Sequence, residues 1–79
     1  MAQPKDRIEI ASDVNTRDGI GIEIWRDDKL VLEIFRDDTE RTRAVTIYNN
    51  EIPLELLEEG IEAFKKEIPW DFIDYDKIK

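Results

Sequence analysis

The stretch "IGIEIWRDDKLVLEIFRDDT" (Ile20–Thr39) writes Glu-Ile-aromatic-Arg-Asp-Asp twice, first from Glu23 and again from Glu33. A repeated acidic motif is what a metal site or a carboxylate pair needs. Two strands leaving a sheet through the same kind of charged turn look identical. The flanking residues decide between them. "IGIEIW" (Ile20–Trp25) and "LVLEIF" (Leu30–Phe35) are β-branched and aromatic and are bounded by charged residues, which is strand composition. Consecutive antiparallel strands run in opposite directions, so Asp27 and Asp28 fall at one sheet end and Asp37 and Asp38 at the other. At about 3.3 Å of rise per residue the two pairs lie on the order of 20 Å apart, too far to share an ion. Neither pair alone supplies the run of oxygen ligands of a calcium loop. Asp suits turns because its carboxylate accepts from nearby backbone N–H groups, and charge beside a strand end discourages wrong pairing. The repeat reads as two exits from a sheet.

Side chains alternate along a strand. Ile20, Ile22, Ile24, Leu30, Leu32 and Ile34 therefore share one face, and Glu23, Trp25, Val31, Glu33 and Phe35 the other. A three-residue loop, Asp27–Lys29, sets Ile22 opposite Ile34, Gly21 opposite Phe35, Glu23 opposite Glu33 and Trp25 opposite Val31. A two-residue loop moves Glu33 into the isoleucine row, so the three-residue loop is expected. "RIEIA" (Arg7–Ala11) and "RAVTIY" (Arg43–Tyr48) also alternate. The latter sends Val45 and Ile47 to the core side and Ala44, Thr46 and Tyr48 outward.

After "NNEIP" the period changes. Leu54, Leu57, Ile61, Phe64 and Ile68 form one helical stripe. Pro53 suits the first turn, Glu55, Glu58 and Glu59 the positive N-terminal end, and Lys65 and Lys66 the C-terminal end. Gly60 costs roughly 1 kcal/mol against alanine, and close approach of helix to sheet is the expected reason for it. Pro69 ends the helix. The fold expected is α+β: a four-stranded antiparallel β-meander covered on one face by a single C-terminal α-helix (ββββα), with a short aromatic tail. Leu57, Ile61 and Phe64 are expected on Ile22, Ile24, Leu32, Ile34, Val45 and Ile47. Residues 1–79 read as a single small domain, with 1–6 a flexible N-terminus and 69–79 a tail. Trp70, Phe72, Ile73 and Tyr75 make that tail too apolar to be simply solvated. It packs on the rim of its own core, over the outer sheet face or on a second copy.

The chain has 79 residues, near the lower limit for a self-sufficient core, with apolar and charged shares of 41% each. It contains no cysteine and no histidine. That excludes disulfides, zinc-thiolate sites and thiol nucleophiles, and removes the usual general base and pH switch. Ser12 has no base to activate it, "GIG" is too short for a phosphate loop, and no cofactor or metal is implied. Arg36, Arg41 and Arg43 are expected to pair with Asp37, Asp38 and Glu40. No apolar run reaches membrane-span length, and a cytoplasmic protein is the expectation. The net charge of −8 opposes direct binding of nucleic acid or an anionic membrane. It suits a basic protein partner, including one whose natural ligand is DNA or RNA, although solubility alone also explains acidity.

The outer sheet face groups Trp25, Val31, Phe35 and Tyr48 around Glu23 and Glu33. Adjacent carboxylates can raise one pKa, so a small enzyme built on Glu23 and Glu33 is a remote reading, with no other catalytic group to assist. Aromatic residues anchor interfaces. The partner-binding set expected is Glu23, Trp25, Glu33, Phe35, Tyr48, Trp70, Phe72 and Tyr75. The function expected is a non-enzymatic interaction module of the immunity, inhibitor or anti-defence kind. The alternative is a structural homo-oligomer, such as a homodimer, joined by the outer face, an edge strand or the tail. A small acidic meander followed by "IPLELLEEGIEAF" is similar to short bacterial or phage proteins, a resemblance that assigns no site residue.

Overall fold

The structure is a computed structural model and describes residues 6–13 and 18–73. Strands β1 (Asp6–Asp13), β2 (Gly19–Arg26), β3 (Lys29–Asp37) and β4 (Thr42–Ile47) precede helix α1 (Leu54–Glu67). The strands form one antiparallel sheet in the order β1-β2-β3-β4. This is the ββββα meander expected. β1 is longer than expected and starts at Asp6, within the stretch expected to fray. There Arg26 grips the Asp6 carboxylate with two hydrogen bonds of 2.7 and 2.9 Å, and holds that carboxyl below its ordinary range.

The β2–β3 register pairs Ile22 with Ile34, Glu23 with Glu33 and Gly21 with Phe35, as the alternation requires. The loop differs from the one expected. Arg26 pairs with Lys29, so the turn has only Asp27 and Asp28, at φ 52° and 64°. Two successive positive φ values match the right-handed strand twist at a two-residue hairpin. Glu33 stays out of the isoleucine row because the register shifts between Ile24 and Trp25. A bulge there absorbs one residue of β3. Leu30, not Val31, faces Trp25. Val31 is the extra residue: it is buried, belongs to the core cluster, and its carbonyl accepts the Tyr48 N–H at 3.0 Å. Asn-Gly favours such turns more than Asp-Asp. Asp27→Asn with Asp28→Gly is therefore expected to raise unfolding stability, measured as a higher midpoint in urea titration.

The β3–β4 connection is built differently. Asp37 Oδ1 accepts the N–H groups of both Thr39 and Glu40 at 3.0 Å, and Arg41 takes φ 57° to rejoin the ladder at Thr42. Here the aspartate works as a turn residue in the way expected.

Pro53 stands at the N-cap of α1, one residue before the helix begins, and its carbonyl accepts from Leu56 and Leu57. At the other end Pro69 disfavours a helical conformation for the preceding residue. Ile68 is accordingly extended, at φ −110° and ψ 124°, and its side chain is buried in the core. Between these ends the buried line is Leu56, Gly60 and Phe64, one residue per turn. A Cβ on Gly60 would come within 2.9 Å of Leu32 and 3.0 Å of Ile24. Hydrogen at this position lets the helix settle onto β2 and β3.

That line is rotated from the stripe expected. Leu56 is 3% exposed, whereas Ile61 is 39% and Leu54 65% exposed. Leu57 is only half-buried. The helix backbone lies over β2 and β3, and only its flanks, at Ile61 and at Ala63, stand beside β4 and β1. Val45 and Ile47, expected beneath it, are 49% and 45% exposed. Leu56→Ala is expected to cost about 2–5 kcal/mol and Phe64→Ala about 3–5 kcal/mol, with Ile61→Ala below about 1 kcal/mol. Melting curves giving Ile61 the larger effect would return the helix to the Leu54–Leu57–Ile61 face.

Candidate functional site

Register carries three glutamates across the outer sheet face in one row: Glu9 on β1, Glu23 on β2 and Glu33 on β3, followed by Thr46 on β4. Glu9 accepts from Arg7 at 2.6 Å, and Glu23 accepts the Trp25 indole N–H at 3.3 Å. Arg7 lies over the Trp25 ring, 4.9 Å from its centre, and also reaches Asp28. The next row runs Ala11, Gly21, Phe35 and Ala44. Small neighbours and the missing Cβ of Gly21 leave room for the Phe35 ring, whose Cδ2 would stand 3.0 Å from a Cβ placed there. Phe35 is 2% exposed and Glu33 4%. Of the expected partner-binding residues on this face, Tyr48 is exposed, Glu23 and Trp25 are half-buried, and Glu33 and Phe35 are within the fold.

The tail goes elsewhere. Trp70 and Phe72 lie on the helix side of the sheet, at the end where β3 turns into β4. Arg36 and Arg43 face each other there in the row that follows Ile34 and Val45. The Arg43 guanidinium sits 3.9 Å from the Trp70 ring centre and 4.2 Å from that of Phe72, and donates two hydrogen bonds to the Trp70 carbonyl. Trp70 also meets Phe64 edge to face, with ring centres 6.4 Å apart. Residues 69–73 of the tail therefore pack on the rim of their own core. Tyr75 lies outside the described residues.

Beneath the tail, Arg36 and Asp38 form a buried ion pair, with side-chain exposures of 3% and 0%. Arg36 Nη2 donates to Asp38 Oδ2 at 3.1 Å and Nη1 to the Pro69 carbonyl at 2.7 Å. Nε stands 2.9 Å from Asp38 Oδ1, a Coulombic contact without a well-aimed hydrogen. Asp38 Oδ1 instead accepts the Ile73 N–H at 3.1 Å. The two Asp pairs of the repeat thus have opposite fates. Asp27 and Asp28 are exposed in a turn, and Asp38 is a buried clasp. The spacing of the repeat does not distinguish them. Strand parity does not either, since Arg26 and Arg36 each follow a core-facing isoleucine by two residues; what differs is the Pro69–Ile73 segment, which closes over Arg36 and Asp38 only.

The most charged surface is the outward side of α1. Glu55, Glu58, Glu59 and Glu62 are exposed and surround Ile61 in one open depression. Among the described residues no group of three or more carboxylates is arranged to hold a metal ion, and no helix is long and apolar enough to cross a membrane. Comparison with protein-family models, with curated proteins and with solved structures finds no match to this chain.

Removing one member of a buried ion pair leaves an uncompensated charge, at about 3–5 kcal/mol. Arg36→Ala and Asp38→Ala are each expected to lose that much in a chemical melt. Asp28→Asn, at the equivalent place in the first copy of the motif and tolerant of the positive φ there, is expected to change stability by less than about 0.5 kcal/mol. Equal effects at positions 28 and 38 would contradict the clasp.

Proposed function

We propose that this chain is a small, acidic, non-enzymatic protein-interaction module of the immunity, inhibitor or anti-defence kind, and that its partner is a basic protein. The acidic side of α1 is the observation that carries the reading. Four glutamates within two and a half turns, all exposed, surround an apolar side chain that the fold leaves 39% exposed at Ile61. Clustered charge of one sign accelerates encounter with an oppositely charged surface. An apolar residue at the centre supplies the contact that excludes water once the surfaces meet. Half-buried Trp25 and exposed Tyr48 on the opposite face extend the surface available to a partner.

The catalytic alternative loses support from burial. Glu33 faces Glu23 in the register but is 4% exposed, so a substrate has little access to that pair.

The test compares the wild-type chain with Glu58→Lys/Glu62→Lys as bait for basic proteins at low and at raised salt. These positions are exposed, so both baits are expected to melt alike. A basic partner is expected on the wild type, with at least tenfold weaker retention on the double variant and a steep loss with salt. A partner held equally by both baits and indifferent to salt would count against the acidic helix face.

A further inference from the structure

Among the described residues no further strand pairs with either edge of the sheet, and the two edges differ in chemistry. β1 carries Asp6, Arg7 and Glu9, and the helix flank above Ile8 and Ile10 presents Lys66 and Glu67. Charges of this kind guard an edge against added strands. β4 has none in its central run, Ala44-Val45-Thr46-Ile47. Every β4 residue is exposed. Its helix-side residues Val45 and Ile47 are 49% and 45% exposed, and Val45 lines one shallow apolar depression with Ile61 on α1. This is an unguarded strand with an apolar flank.

Hydrogen bonding fixes which groups face outward. The Tyr48 N–H donates to Val31 on β3, while Ile47 is the register partner of Leu32. Alternate residues of an antiparallel ladder turn both backbone groups to the same neighbour. Thr46 and Ala44 therefore bond toward β3, and Arg43, Val45 and Ile47 present their N–H and C=O groups at the open edge.

We propose that β4 pairs antiparallel with β4 of a second copy of this chain, about a two-fold axis through Val45, to form one continuous sheet across two protomers. Val45 then exchanges both backbone hydrogen bonds with its own counterpart, and Arg43 pairs with Ile47 of the second copy. The side chains of Val45 and Ile47 from both protomers form one apolar strip between the two helices, bordered by Ile61. The charge pattern fits itself in this arrangement. Arg41 and Arg43 open the strand and Glu51 follows it, so antiparallel pairing sets the basic end of one copy beside the acidic end of the other. The two Arg43 residues stand roughly 13 Å apart along the strands, beyond the Debye length of about 8 Å at physiological salt. A foreign strand would have to bring this same alternation of apolar and charged residues, which the chain already carries. The proposal goes beyond the heterologous binding argued above; Ile61 lies beside Val45 as well as among the glutamates, so the two surfaces adjoin.

Sedimentation from micromolar to millimolar protein tests it. The mass is expected to rise from 9.4 kDa toward twice that value. Val45→Lys sets two ammonium groups face to face and is expected to weaken association at least tenfold, with the dilute melting curve unchanged. A second variant does not depend on that one folding normally. The chain has no cysteine, and hydrogen-bonded antiparallel partners stand about 5.5 Å apart at Cα, within disulfide range. Val45→Cys is therefore expected to give a covalent dimer under mild oxidation at concentrations where Ile10→Cys, on the opposite edge, stays monomeric. A mass of 9.4 kDa at every concentration would overturn the proposal. So would a dimer that survives Val45→Lys, or equal cross-linking of the two cysteine variants.

Discussion

A helix about 10 Å across rests on strands about 4.8 Å apart, so it can shield two strands and not four. The remaining features follow from that mismatch. All the fully buried strand residues belong to β2 and β3, and the helix backbone comes close only to these two strands. Gly60 lets the backbone drop onto Leu32 and Ile24, which deepens burial in the middle at the expense of breadth. β1 and β4 are held by backbone pairing to the central strands, with their apolar side chains only partly shielded. The surface is thus divided into a well-packed axis and two semi-apolar margins.

Strand positions were legible because alternation in Ile20–Trp25 and Leu30–Phe35 leaves only one way to segregate glutamate from isoleucine. The same argument misjudged the loop, since a bulge and a two-residue turn preserve the pairs Ile22–Ile34 and Glu23–Glu33 as well as a longer loop does. Periodicity cannot see a bulge when the extra residue, Val31, is itself apolar. Helix α1 was legible in existence and extent but not in rotation. Its apolar arc runs from Leu54 to Phe64 and is wider than the part the sheet can receive. Only the contact at Gly60 decides which part of the arc is used.

The outer-face row of Glu23 and Glu33 was also legible, being a direct product of register. Its burial was not. Gly21, Ala11 and Ala44 make room for the Phe35 ring, and seeing that requires reading across strands rather than along one. Asp38 was the least visible residue, because its role depends on Arg36, Pro69 and Ile73 meeting at one end of the sheet. The acidic side of α1 could be read as a charge pattern from the start. It gained interest once Ile61 proved to stand among those glutamates rather than beneath the helix.

The clasp beneath the tail also sets an order of events in time. Sheet pairs join neighbouring strands through short connections, whereas Arg36 reaches Pro69 across 33 residues and Asp38 reaches Ile73 across 35. Closing so long a segment carries a larger chain-entropy cost than zipping a hairpin, and it requires β4 and α1 to be in place first. The clasp is therefore the last part of the molecule to form and the first to open. Native-state hydrogen exchange will report it as a separate opening: the Ile73 amide exchanges when the tail lifts, while amides in the β2–β3 ladder wait for the whole domain to unfold.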